Sequence, residues 1–222
     1  MWWAFLAVAA IGYLMGSLPT GLVVGRLVRG VDIREYGSGK TGFTNVLRGA
    51  GLLAGVVVLV VDVAKGALPV VIGRVISDEP YVLAVAALAA VAGHDWPVYA
   101  GFRGGRGVAT SFGGLLAMNP LVTLALVPVG AALVGVTRIM SVMSVGMAPV
   151  SAGVFVGLAI AGVQPWAYAV YALLSGSLLV VLHRDNVRRL LAGTEPRLGR
   201  GGERRVGASA PAEGEGGGPA AR

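Results

Sequence analysis

The stretch GSGKTGFTNVLR, residues 37–48, sets Ser38, Lys40, Thr41, Thr44, Asn45 and Arg48 among three glycines. Hydroxyls and an amide can orient a small polyol, and the cations can hold an anion. A second stretch, GFRGGRGVAT at 101–110, places Arg103 and Arg106 around Gly104, Gly105 and Gly107, just before an apolar run. Glycines let backbone N–H groups converge on an anion, and a helix start adds a favourable dipole. Arginine supplies forked donors that match phosphate oxygens. A third stretch, HRDNVRRLLAGTE at 183–195, adds His183, Asn186 and Glu195. Together these groups suit an anionic, phosphorylated small molecule.

Two nucleotide-binding motifs are imitated here and both fail on context. Gly39, Lys40 and Thr41 end as a Walker A loop ends, but Arg34 stands where its first glycine belongs. Gly37, Gly39 and Gly42 have G-x-G-x-x-G spacing, yet no strand precedes them and no βαβ unit surrounds them.

The elements that must position these stretches are membrane helices. Charged residues make up only 13% of the 222, about half the usual share for a soluble domain. Apolar runs recur at about 2–24, 50–76, 81–93, 107–118, 120–137, 142–162 and 165–182. This predicts an all-α, polytopic membrane protein of seven transmembrane helices, the third and fourth short enough to be broken or half-helices. No basic residue precedes Arg26, so the first run reads as a retained span rather than a signal peptide.

With the N-terminus outside, sixteen of the 18 Lys and Arg fall on the inner side, so the C-terminus is expected in the cytoplasm. The net charge of +7 then reports orientation rather than nucleic-acid binding. The absence of cysteine excludes thiolate metal sites, and two histidines form no obvious metal cluster. Small-xxx-small pairs (Gly12/Gly16, Gly21/Gly25, Gly51/Gly55, Gly153/Gly157) predict closely packed helices. Residues 1–199 are expected to form the membrane domain. Residues 200–222, without Leu, Ile or aromatics, are expected to form a disordered cytoplasmic tail.

Six stretches in order resemble the bacterial acyl-phosphate:glycerol-3-phosphate acyltransferase family: GSLPTG (16–21), GSGKTGFTNVLR (37–48), DVAKG (62–66), GHDWPVYAGFRGGRGVAT (93–110), RIMSVMSV (138–145) and HRDNVRRLLAGTE (183–195). The resemblance implies a seven-helix enzyme of the bacterial inner membrane with its active site facing the cytoplasm. It implies transfer of an acyl chain from acyl phosphate to the 1-hydroxyl of glycerol 3-phosphate, giving lysophosphatidic acid and phosphate for phospholipid synthesis. It implies no cofactor and no metal. Expected partners are the two substrates, membrane lipid and the soluble enzyme that makes acyl phosphate.

On this resemblance Ser38, Thr44, Asn45 and Arg48 form the glycerol phosphate site. Arg103, Gly104, Gly105, Arg106 and Gly107 cradle the donor's phosphate. Ser38, Asn45, His183 and Asn186 are the catalytic candidates. His183 suits either a general base or a scaffold, since the leaving phosphate can itself accept the hydroxyl proton. Asn186 and Glu195 brace their loop. Asp62 and Lys65, three apart inside a span, read as a structural ion pair ahead of a substrate contact. Ser141 and Ser144 either line the donor site or hydrogen-bond between helices, and His94 anchors a loop. Lys40 and Phe43 depart from the family's usual Asn and small residue. The alternatives are therefore a paralogue acylating another phosphorylated polyol, or a transporter for an organic phosphate.

Overall fold

The computed structural model describes residues 2–205. Among the described residues ten α-helices follow one another, and no strand forms beyond one isolated bridge, Tyr36 with Arg204. The first apolar run breaks at Pro19 into α1 (Trp2–Gly16) and α2 (Thr20–Arg29). A loop with one 3-10 turn (Ile33–Glu35) leads to the short α3 (Phe43–Ala50). Then come α4 (Leu52–Ile76), α5 (Pro80–Asp95) and, after the glycine-rich loop, α6 (Val108–Met118). Next come α7 (Pro120–Thr137), α8 (Met140–Ile160), α9 (Trp166–Leu182) and α10 (Arg184–Leu191).

All seven expected apolar runs are helical, but they are not seven equal spans. Five segments are long and apolar enough to cross a bilayer: Trp2–Arg29, Leu52–Ile76, Pro80–Ala100, Pro120–Thr137 and Met140–Ile160. A sixth is the pair α9 and α10, bent by 59° at His183. With 11 residues, α6 rises about 16 Å against a hydrocarbon core of about 30 Å. It is a half-helix, too short to cross the core alone.

Glycine sets the helix contacts. A Cβ on Gly12 or Gly16 of α1 would overlap the carbonyl oxygens of Ala86 and Ala90 on α5. Gly66 of α4 meets the Thr110 carbonyl of α6 in the same way. Backbone thus packs on backbone, as membrane helices do where lipid supplies no hydrophobic drive. Gly153 and Gly157 of α8 have no neighbour within 4 Å, so their spacing does not mark a helix contact.

One apolar core joins α5, α6, α8 and α9, with Leu83, Val91, Leu115, Phe155 and Tyr171 buried. A second lies under the 30–42 loop, where Ile33 and Val46 are fully buried with Leu22, Ala54 and Val58. Each large side chain buried in this way contributes about 1.5–3 kcal/mol relative to exposure. That burial fixes the loop on α2, α3 and α4. Trp2, Leu6, Leu52, Leu53, Val75, Leu121 and Val136 stay exposed, as a lipid-facing surface requires.

Residues 200–205, grouped by composition with the tail, run beside the 35–37 loop. Gly37 N–H donates to the Glu203 carbonyl (3.0 Å) and Arg205 N–H to the Glu35 carbonyl (2.7 Å). Residues 206–222 of that tail lie outside the described residues.

Candidate active site

The 37–48 stretch is a turn wound around one side chain. Asn45 sits buried at the start of α3 and accepts from Ser38 N–H (3.0 Å). Its Nδ2 donates to the carbonyls of Ile33 (2.9 Å), Tyr36 (3.1 Å) and Lys40 (2.8 Å). Asn45 therefore clamps the loop, where the sequence suggested that it orients substrate hydroxyls. Ser38 and Thr44 remain half-buried beside it, and Arg48 projects from the last turn of α3. Arg48 donates to the Pro196 carbonyl (3.3 Å), while its Nε is buried without a partner.

The glycine-rich loop is held differently from a free anion cradle. Gly104 and Gly105 donate their N–H groups to the Asp95 (3.2 Å) and His94 (3.1 Å) carbonyls at the end of α5. A Cβ on Gly105 would overlap the His94 ring, so this glycine serves close packing. His94 is the loop's anchor in that sense. Gly107, at φ 67°, turns the chain into α6. The donors left for an anion are the first N–H groups of α6 and Arg106, whose Nε is buried and unpartnered. Arg103 is exposed.

The third stretch closes the site. Glu195 accepts from Asn186 (2.6 Å) and Ser141 (2.8 Å) on Oε1, and from Arg189 (2.7 Å) on Oε2. Ser141 thus ties the head of α8 to the chain after α10. Ser144 instead donates to the Met140 carbonyl of its own helix (3.1 Å). His183, buried at the bend between α9 and α10, has Nδ1 2.8 Å from the Leu179 carbonyl. A carbonyl only accepts, so Nδ1 carries the proton. A neutral ring then presents Nε2 as an acceptor.

Electrostatics join the three stretches. Burial is the main force holding the Arg48 and Arg106 guanidinium groups below their ordinary pKa; the charge of Arg189 acts the same way on both and Glu195 opposes it. Burial, then the charge of Arg106, lowers Lys40 likewise. Burial alone would raise the Glu195 carboxyl, but hydrogen bonds from Asn186, Ser141 and Arg189 outweigh it and hold it below the usual range. Crowded, partly desolvated cations of this kind are stabilised by a bound anion.

Deeper in the bundle Asp62 pairs with Lys65 (2.9 Å), both buried, and Lys65 donates to the Leu18 carbonyl (3.0 Å). The pair joins α4 to the α1–α2 break, and Asp62 Oδ1 lies 3.7 Å from Nδ1 of His94, which anchors the glycine-rich loop. Two residues escaped the sequence reading. Arg189 looked like ordinary positive-inside charge. Asp95, buried against Gly107 with neither carboxylate oxygen hydrogen-bonded, was signalled only by being an acid at the end of an apolar run.

Fold and site define a class: a multi-pass helical membrane protein with a cationic, phosphate-suited site at one end of its bundle. The family profile for glycerol-3-phosphate acyltransferase matches residues 6–193. A Moorella thermoacetica relative, glycerol-3-phosphate acyltransferase 2, is 44% identical over 90% of this chain and 98% of its own. A Parasynechococcus marenigrum glycerol-3-phosphate acyltransferase is 42% identical over 88% and 90%. The fold is similar to that of PlsY (YgiH), an integral membrane glycerol 3-phosphate acyltransferase, solved in a glycerol 3-phosphate form. That match has a TM-score of 0.80 and 38% identity over 88% of this chain and 96% of that one. The lysophosphatidic acid form gives a TM-score of 0.77 at 36% identity, over 87% of this chain and 94% of that one. The chain belongs to the glycerol-3-phosphate acyltransferase family and is an acyltransferase.

Proposed function

We propose that the chain transfers an acyl group from acyl phosphate to the 1-hydroxyl of glycerol 3-phosphate, yielding lysophosphatidic acid and phosphate for phospholipid synthesis. The observation that carries this reading is the pair of partly buried guanidinium groups, Arg48 and Arg106, each with an unpartnered buried Nε and each in the field of Glu195, the carboxylate that Ser141 and Asn186 hold. Two phosphate-bearing substrates need two cationic subsites next to each other. Arg48, with Ser38 and Thr44, serves the acceptor. Arg106 and the head of α6 serve the donor.

In the reaction the acceptor's 1-oxygen attacks the acyl carbonyl carbon and the bond from that carbon to the phosphate oxygen breaks. The hydroxyl proton passes to the departing phosphate. His183 Nε2 is suited to accept a hydrogen bond from the attacking hydroxyl and align it, and Arg106 offsets the charge that gathers on the leaving group. Residues 1–199 carry the transfer chemistry. The site faces the cytoplasm of a bacterial inner membrane, with the N-terminus outside, a reading supported by the arginine distribution.

Orientation is testable because the chain has no cysteine of its own. Ala192, exposed just after α10, is a suitable place to add one. An Ala192→Cys variant in intact spheroplasts should resist an impermeant maleimide and react after lysis. Labelling before lysis would reverse the topology. The activity itself is tested by acceptor-dependent phosphate release.

A further inference from the structure

The family profile ends at residue 193, but the chain does not leave the site there. Pro196 takes a hydrogen bond from Arg48 (3.3 Å), and Leu198 N–H donates to the Arg138 carbonyl (2.7 Å) in the α7–α8 loop. The chain then turns through Gly199 and Gly201, both at positive φ, and doubles back over the 35–39 loop. There it pairs antiparallel, with the Gly37–Glu203 and Arg205–Glu35 backbone bonds flanking the Tyr36–Arg204 bridge. Arg204 adds an ion pair with Glu35 (3.0 Å). Gly37 has φ 48°, and a Cβ there would come within 2.7 Å of the Gly201 carbonyl, so the loop accepts this cover only as glycine.

This path delivers one more cation. The Arg205 guanidinium lies directly against Gly39, where an added Cβ would overlap its Nη1. Among the described residues Arg205 has no carboxylate partner, whereas Arg34, Arg189 and Arg204 each have one. Its backbone is fixed by the Glu35 bond while the side chain stays exposed. A fixed backbone with an uncommitted fork beside a glycine turn is an arrangement for gripping an anion.

We propose that residues 197–205 form a strap over the acceptor loop and that Arg205 is a further phosphate-binding residue for glycerol 3-phosphate. This rests on the assignment of the 37–48 loop to the acceptor. The strap lies outside the profile-matched region.

The test uses full-length protein with Arg205→Ala and Arg205→Lys, each checked for monodispersity in detergent. Initial rates are measured against glycerol 3-phosphate at saturating palmitoyl phosphate, and the reverse. Arg205→Ala should raise the KM for glycerol 3-phosphate about 5- to 10-fold, the effect of one hydrogen bond weakened by exposure to solvent. The kcat and the KM for palmitoyl phosphate should stay within about twofold, and Arg205→Lys should recover most of the loss. A merely structural strap would instead move both substrates together and gain nothing from lysine. An acceptor KM unchanged in Arg205→Ala overturns the assignment. So does a lower one, because the strap would then compete with substrate. If wild-type protein shows no acceptor-dependent turnover, the reading of the loop itself fails, which separates the two claims.

Discussion

Asn186 and Glu195 meet at 2.6 Å, the shortest of the three hydrogen bonds that converge on this carboxylate. Asn186 lies in the first turn of α10 and Glu195 follows that helix, so the bond ties together residues nine positions apart. The same carboxylate holds α8 through Ser141 and takes Arg189 on its other oxygen. One carboxylate thereby ties α8, α10 and the chain after it together, and its charge acts on both Arg48 and Arg106.

Glu195→Gln should therefore disturb more than one contact. The amide nitrogen would face either Arg189 or the Ser141 and Asn186 donors, leaving a donor against a donor. We expect a loss of about 1–3 kcal/mol in stability and a larger fall in turnover, read by thermal unfolding and kcat. A variant with wild-type values in both would show that the network is incidental.

The Glu195 carboxyl also sets an acid limit. Its folded-state pKa is depressed, so its contribution is complete above the ordinary glutamate pKa and disappears as pH falls through the folded value. Wild-type protein should keep this contribution whole down to the ordinary glutamate pKa of about 4.3 and begin to lose it as the pH falls further. Glu195→Gln should lack that acid-dependent step in a melting series across the same range.

Arg48→Ala should raise the KM for glycerol 3-phosphate by roughly 10- to 100-fold, the cost of losing a charge-assisted phosphate contact. Steady-state kinetics in both substrates check it. A selective rise in the KM for palmitoyl phosphate would instead exchange the two subsites.

Gly105→Ala should act through packing. Its new methyl would overlap the buried His94 ring, so the folded fraction and Tm should drop while the surviving protein keeps nearly normal KM values. An anion cradle at Gly105 would show the opposite: normal stability with weak donor binding.

The seven apolar runs, the three polar stretches and the Asp62–Lys65 spacing could all be read from residue order, because period, composition and charge report burial directly. What could not be read is which partner each polar group chooses. Asn45 looks like a substrate ligand in the sequence, yet four backbone groups of its own loop take it up, a consequence of the turn's shape. Gly104 and Gly105 look like a cradle because glycine permits both anion binding and close packing, and only the position of His94 decides between them. Arg205 sat in a stretch whose composition suggested no fold. Its order comes from pairing with a loop far earlier in the chain, and the neighbouring Arg204–Glu35 contact spans 169 positions.

His183→Ala separates alignment from proton transfer. With the leaving phosphate taking the proton, kcat should fall about 10- to 100-fold while the acceptor KM changes little. A loss near the top of the general-base range, about 10⁴-fold, would make His183 the base.

The most direct measurement is phosphate release by purified protein given palmitoyl phosphate, with and without glycerol 3-phosphate, with lipid products identified by mass. The account predicts acceptor-dependent release and one lysophosphatidic acid formed per phosphate. Folded protein that releases no phosphate in response to the acceptor, or forms no acylated product, would contradict it.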